Sequence, residues 1–222
     1  NGLLAKVTDP EGNETAYTYD AHGYLSAMTD ALGNVTQYEY DASGNLLRLT
    51  FADGTSVSYI YDALGRQTSM TNPKGGVTKY AYDALGNLIK TTLPDGTVQT
   101  AAYTKNGQQK SIADALGNKT SYTYDGNGNR LTVTDPAGNE TLSEYDRAGN
   151  LLREINALGG VTEIEYDLLG RITRVTDPLG ADTAYTYDKN GNLLTVTDAL
   201  GNVTSYAYDA LGRLIFETAP NG

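Results

Sequence analysis

The sequence contains no cysteine, no tryptophan, two phenylalanines and one histidine, His22. Without cysteine there is no disulfide, no thiol nucleophile and no thiolate metal ligand, and a lone imidazole excludes mechanisms that need a histidine pair. Basic residues are also scarce: 16 Lys and Arg face 27 Asp and Glu, for a net charge of -11 with no basic run. A phosphate-backbone partner draws its affinity from clustered Lys and Arg, so no nucleic acid is expected as a partner. No apolar run approaches the roughly 20 residues of a membrane helix. The opening Asn1-Gly2-Leu3-Leu4 lacks the basic stretch and long apolar core of a signal peptide. This window reads as soluble, with no membrane span.

What the sequence has in excess is glycine, at 25 residues, and tyrosine, at 18. Both are periodic, and a fixed period decides the fold before any local propensity does. Tyr19, Tyr40, Tyr61, Tyr82, Tyr103, Tyr124, Tyr145, Tyr166, Tyr187 and Tyr208 follow one another at a step of 21 residues without insertion or deletion. Nine are followed by aspartate, namely Asp20, Asp41, Asp62, Asp83, Asp125, Asp146, Asp167, Asp188 and Asp209, and Tyr103 is followed by Thr104. Two glycine ladders keep the same step. One runs Gly2, Gly23, Gly44, Gly65, Gly86 and onward to Gly212, the other Gly12, Gly33, Gly54 and onward through Gly117 and Gly201 to Gly222; together they use 22 of the 25 glycines. These tyrosines, aspartates and glycines are the structural positions of the repeat.

Within one unit, such as Gly191–Leu211, the runs Leu193–Thr197 and Val203–Tyr208 are dominated by β-branched and aromatic residues and predict two strands. Each run ends in aspartate with glycine three residues later. Asp at the first turn position accepts bonds from nearby backbone N–H groups, and Gly takes the positive φ that closes a hairpin. Pro10, Pro73, Pro94, Pro136 and Pro178 sit at the second turn position, where a fixed φ is suited. No helix is predicted. Short turns make consecutive strands antiparallel, so ten units predict about twenty strands in one hairpin meander. At about 4.8 Å per strand the ribbon is roughly 95 Å wide, and a twist near 20° per strand accumulates to about a full turn. The predicted fold is therefore an all-β antiparallel meander of ten 21-residue repeats, curled into a spiral, tube or hollow shell, with each repeat contacting chiefly its neighbours.

The odd repeat length adds a constraint. Side chains alternate between faces, so equivalent residues keep one face only if the two loops differ in parity or a bulge absorbs a residue. The two corners, Y-D-x-x-G and D-x-x-G-N, are accordingly expected to differ in geometry despite their similar spelling. Tyr206 and Tyr208 share a face with Thr204, and each tyrosine is expected to meet a Leu, Ile, Val or Thr of the intervening strand.

A row of Tyr-Asp pairs is readable as acid chemistry or a cation ladder, but a single site needs no copying along a ribbon; the bland reading has Asp bonding its own turn while Tyr packs. Asp125-Gly126-Asn127-Gly128-Asn129 and Asp188-Lys189-Asn190-Gly191-Asn192 open like an EF-hand loop, yet their sixth positions are Arg130 and Leu193 and their twelfth are Pro136 and Ala199. No metal, cofactor or catalytic residue is assigned, since no nucleophile elbow, phosphate loop or dinucleotide fingerprint is present. Asn13, Asn34, Asn118, Asn139 and Asn202 open Asn-x-Thr sequons, which a Gly-Asn turn entering a Thr-rich strand also explains. His22 reads as a turn-surface residue. Exposed Tyr, Asn and Asp can stack on and hydrogen-bond sugars, so a glycan-binding adhesin array remains an alternative.

Tyr-Asp at a 21-residue step, followed by x-x-G-N/R-L and a D-P/A-x-G turn, resembles the YD-repeat, or Rhs, family. Tyr82-Asp83-Ala84-Leu85-Gly86-Asn87-Leu88 and Tyr208-Asp209-Ala210-Leu211-Gly212-Arg213-Leu214 carry its core motif, and the likeness spans essentially the whole chain. The resemblance implies a β-ribbon spiralling into a hollow shell in a large secreted or cell-surface protein, in some members around a toxin. Residues 1–222 are expected to form one repeat array, a window of a longer one without caps. The expected role is a non-enzymatic structural wall of an extracellular fibre or shell; the alternatives are an adhesin array and a cocoon for a C-terminal toxin. Its partners are neighbouring repeats, with an enclosed cargo or surface glycans as further candidates.

Overall fold

The computed structural model describes residues 2–220, and the chain divides into two compact units, Asn1–Asn118 and Lys119–Gly222. The first unit holds β1 (Lys6–Thr8), β2 (Glu14–Tyr19), β3 (Leu25–Thr29), β4 (Val35–Tyr40), β5 (Leu46–Thr50), β6 (Ser56–Tyr61), β7 (Gln67–Thr71), β8 (Val77–Tyr82), β9 (Leu88–Thr92), β10 (Val98–Tyr103) and β11 (Gln109–Ala113). The second holds β12 (Lys119–Tyr124), β13 (Arg130–Thr134), β14 (Glu140–Tyr145), β15 (Leu151–Ile155), β16 (Val161–Tyr166), β17 (Ile172–Thr176), β18 (Asp182–Tyr187), β19 (Leu193–Thr197), β20 (Val203–Tyr208) and β21 (Leu214–Thr218). Among the described residues there is no helix. Within each unit every strand pairs antiparallel with the next in sequence, which is the predicted meander.

The two corners are built alike, contrary to the expectation from parity. At one, the Asp20 N–H donates to the Tyr24 carbonyl at 2.8 Å and the Gly23 N–H to the Asp20 carbonyl at 3.1 Å; at the other, Asp30 N–H donates to Asn34 and Gly33 N–H to Asp30, both at 3.0 Å. Each is the three-residue hairpin loop in which a tight turn ends on a left-handed residue. Gly23 and Gly33 have φ of 87° and 82°, and no residue other than glycine has positive φ among those described. The odd residue is absorbed one step past the Tyr-Asp corner. Tyr19 lies opposite Leu25, but Thr18 lies opposite Ala27, so Ser26 is an extra residue in β3. The same bulge recurs in every hairpin of this type: Leu47 in β5, Thr68 in β7, Ile89 in β9 and Lys110 in β11 are each skipped by the pairing. The second unit repeats it at Leu131, Leu152, Thr173, Leu194 and Ile215. The bulges recur every 21 residues, one per repeat, and each restores the same face in the next copy.

Burial alternates as the faces do. Along β4, Thr36, Tyr38 and Tyr40 are half-buried while Val35, Gln37 and Glu39 are exposed. The expected aromatic–aliphatic pairs form, with Tyr40 opposite Leu46, Tyr38 opposite Leu49, Tyr187 opposite Leu193 and Tyr185 opposite Val196. Among the described residues no hydrophobic side chain is fully buried; Thr78, at 7% exposure, is the buried residue. The accessible surface of 14569 Å² is about half again the roughly 9800 Å² that a compact protein of this mass exposes. The sheets are single layers, stabilised by ladder hydrogen bonds and half-burial across strands instead of by a core.

Candidate functional site

The repeated feature with chemistry in it is the corner. In most corners that open on aspartate, the carboxylate is a hub for three donors. Asp41 Oδ1 accepts the backbone N–H of Ser43 at 2.8 Å and of Asn45 at 2.9 Å, and its Oδ2 accepts Asn45 Nδ2 at 2.8 Å. Asp30, at the other kind of corner, takes Leu32 N–H, Asn34 N–H and Asn34 Nδ2 in the same way. Asp83, Asp125, Asp146 and Asp188 are bound identically by Asn87, Asn129, Asn150 and Asn192. At Asp62, Asp167 and Asp209 the side-chain donor is the Nε of Arg66, Arg171 or Arg213. Asp20 lacks such a donor because Tyr24 follows its glycine; it keeps the two backbone bonds, from His22 and Tyr24. These bonds stabilise the ionised carboxylate. The side-chain donor first, then the backbone N–H, holds the carboxyls of Asp41, Asp62, Asp146 and Asp167 below the ordinary range. The bland reading of the Tyr-Asp row is what the geometry shows: Asp bonds its own turn.

Thr104, which replaces aspartate in one copy, reproduces this weakly, its Oγ1 accepting the Gln108 N–H at 3.2 Å. All five sequon asparagines, Asn13, Asn34, Asn118, Asn139 and Asn202, place Nδ2 on the corner aspartate at 2.7–2.8 Å. The Asp125 and Asp188 carboxylates are filled by their own corners, and among the described residues no three His, Asp or Glu side chains are grouped to hold a metal. His22 lies on the turn surface, its side chain 75% exposed.

The tyrosine ladder joins one repeat to the one before it. The hydroxyls of Tyr19, Tyr61, Tyr82, Tyr145 and Tyr166 donate to the backbone carbonyls of Leu4, Leu46, Gln67, Arg130 and Leu151, each 15 residues earlier, at 2.8–3.0 Å. The carbonyl belongs to the segment that opens the preceding strand of the sheet, beyond the last ladder pair. Burial pushes the phenols of Tyr40, Tyr61 and Tyr166 above their ordinary value.

A second inter-repeat device escapes sequence reading. The residue after the corner glycine reaches the next repeat: the Arg66 guanidinium sits 4.9 Å from the Tyr82 ring centre while its Nη1 donates to the Asp83 carbonyl at 3.2 Å. Arg171 does the same, 4.7 Å over Tyr187 and 3.0 Å from the Asp188 carbonyl. Tyr24 takes this place in its repeat, 5.2 Å from Tyr40. The signal is present as an Arg four residues after Asp62 and Asp167, but its reach to a tyrosine 16 residues on requires knowing which strands adjoin.

On the face opposite the tyrosines the second unit carries two cross-strand triads. Arg153 lies 3.6 Å from both Glu144 and Glu163, and Arg174 contacts Glu165 and lies 3.5 Å from Asp182. These side chains are about half exposed, at 37–60%, so each pair contributes little to stability.

A family model described as the teneurin YD-shell matches residues 1–155, and one described as the RHS repeat matches residues 145–182 and 187–222. Among solved structures, TcdB2-TccC3 without its hypervariable C-terminal region is similar with a TM-score of 0.69 at 18% identity, over 96% of this chain and 13% of that one. The Photorhabdus luminescens Tc holotoxin pore carrying a TccC3 substitution is similar with a TM-score of 0.55 at 21% identity, over 95% of this chain and 13% of that one. At these identities the likeness concerns the fold. A search of curated protein sequences returns no match.

Proposed function

Because the chain belongs to the YD-repeat family of Rhs and teneurin YD-shell proteins, we propose that this structural repeat wall forms part of a large, secreted or cell-surface hollow shell of bacterial origin. The observation that carries the reading is a single-layer sheet with no fully buried apolar side chain among the described residues. Such a sheet has no pocketed core in which to shelter chemistry, and extending it by further identical repeats adds area. A wall is what area without depth supplies. Accumulated strand twist curls it, and a curled wall encloses space. The enclosed partner in this reading is a polypeptide cargo, and one solved structure of similar fold is that of a Tc holotoxin pore.

The turn edges favour the shell over a solitary fibre. Leu158, Leu179 and Leu200 follow one another at the same corner of three successive repeats with exposures of 96%, 93% and 88%. Apolar rows of this kind mark contact surfaces, and the next turn of a spiralling wall is the partner with the same pitch. Electron cryomicroscopy of the intact full-length protein tests the proposal. The expected image is a closed particle with a wall one sheet thick. An open-ended filament contradicts the shell, and a solid globule contradicts the wall.

A further inference from the structure

Ala101 stands where the four preceding repeats carry Tyr17, Tyr38, Tyr59 and Tyr80. Those rings lie opposite Met28, Leu49, Met70 and Thr91, each half-buried. Ala101 lies opposite Ile112, which is 44% exposed. The missing ring leaves a hollow of about 150 Å³ above the alanine, walled by Leu88, Thr91, Gln99, Tyr103, Gln109 and Ile112. Strand alternation puts these six on the tyrosine face, while Lys90 and Thr100, which also border the hollow, pair with each other at opposite-face positions. The volume matches that of cavities that take up one benzene ring. Ser143 also replaces a ladder tyrosine, but its cross-strand partner is Glu154, so that gap is edged by a charge. Only at Ala101 in this ladder is a small residue set against an aliphatic one.

We propose that this hollow is a binding site for one phenol ring, the tyrosine side chain of a polypeptide lying on the tyrosine face. The sheet itself supplies the argument: the same surface, built of the same strand pair geometry, seats a tyrosine from within the chain in the four repeats before it. Leu88 and Ile112 offer apolar walls to the ring, and Gln99 and Tyr103, which also line the hollow, carry polar groups for its hydroxyl end. A ring supplied from outside completes the ladder and covers Ile112.

The test is methyl NMR of the full chain with N-acetyltyrosinamide as the probe, p-cresol as a ring without a backbone, and Ala101→Tyr as the variant that fills the hollow from within. Ala101→Tyr restores the residue of its neighbours, and its unaltered methyl spectrum away from the site reports that it folds; Ala101→Leu fills the space without an aromatic ring should the first variant distort the strand. The expected result is that both probes shift the Ala101 and Ile112 methyls of the parent chain, and that the Ile112 shift is lost in either variant. Shifts spread evenly over the tyrosine face, or an Ile112 shift retained after the hollow is filled, overturn the site. Shifts with p-cresol and none with N-acetyltyrosinamide overturn the polypeptide as the source of the ring.

Discussion

Aspartate at a hairpin corner does what no other residue of its size does: one oxygen gathers two backbone N–H groups while the other holds a side chain four residues on, as Asp41 does with Ser43 and Asn45. Thr104 has one oxygen in place of two, so it makes the longer bond to the Gln108 N–H and leaves the second position unfilled by a charge-assisted bond. Thr104→Asp is expected to raise the melting temperature by a few degrees, checked by calorimetry; an unchanged or lower value removes the carboxylate hub as the reason for the residue. The same hubs set the response to acid. Hydrogen bonds to their charged forms lower the folded-state pKa of Asp41, Asp83, Asp146 and their equivalents below the ordinary 3.8. Stability from these groups is therefore complete above the unfolded value and is lost as pH falls through the folded one. Thermal melts should be flat from pH 7 to about pH 5 and fall steeply below about pH 4. A steady loss from pH 7 downward would assign the acid response to other groups. At the other end of the scale the raised phenols of Tyr40, Tyr61 and Tyr166 favour the neutral form, so their contribution is lost only as pH rises above the ordinary tyrosine value.

At the scale of the strand, the period, the strand pairs and the tyrosine face were legible because each rests on composition recurring at a fixed step. The bulge was only half legible. Parity requires an extra residue somewhere, yet the two corners are spelled alike and fold alike, and nothing in the letters Leu46-Leu47-Arg48 marks Leu47 as the residue the pairing skips. Its cause lies in the strands on either side, whose faces must agree. Likewise Arg66 and Arg171 read as polar turn residues until the strand order places Tyr82 and Tyr187 beside them. The bulge also makes an unusual prediction. Deleting Leu47 leaves Leu46 and Arg48 alternating as in a regular strand, so every later side chain keeps its face and the variant folds with less local twist. Deleting Leu49, two residues on, moves Thr50 from opposite Gln37 to opposite Tyr38 and turns over the chain that follows, so the faces of the later strands no longer agree. Circular dichroism and urea melts of the two deletions should show a small loss for the first and a large one for the second; equal losses contradict the register.

Over the whole chain, stability is distributed. With no fully buried hydrophobic side chain among the described residues, no central cluster exists among them whose loss unfolds everything, and repeats are tied to their neighbours by ladder bonds, reinforced in several by a tyrosine hydroxyl and in two by an arginine clasp. Such arrays behave as sums of local stabilities and neighbour terms. Gly33 is at a corner with φ of 82° and open space where a Cβ would lie, so the first cost of valine there is backbone strain, about 1–3 kcal/mol. That isolates the question of how far a local defect spreads. Hydrogen exchange followed by mass spectrometry on Gly33→Val and the parent chain answers it: protection should fall in β2 to β5 and stay at parent levels in β8 to β10 and throughout the second unit, whereas an equal loss in every strand would mean that the chain is held together cooperatively, as a globule is, and not as a wall.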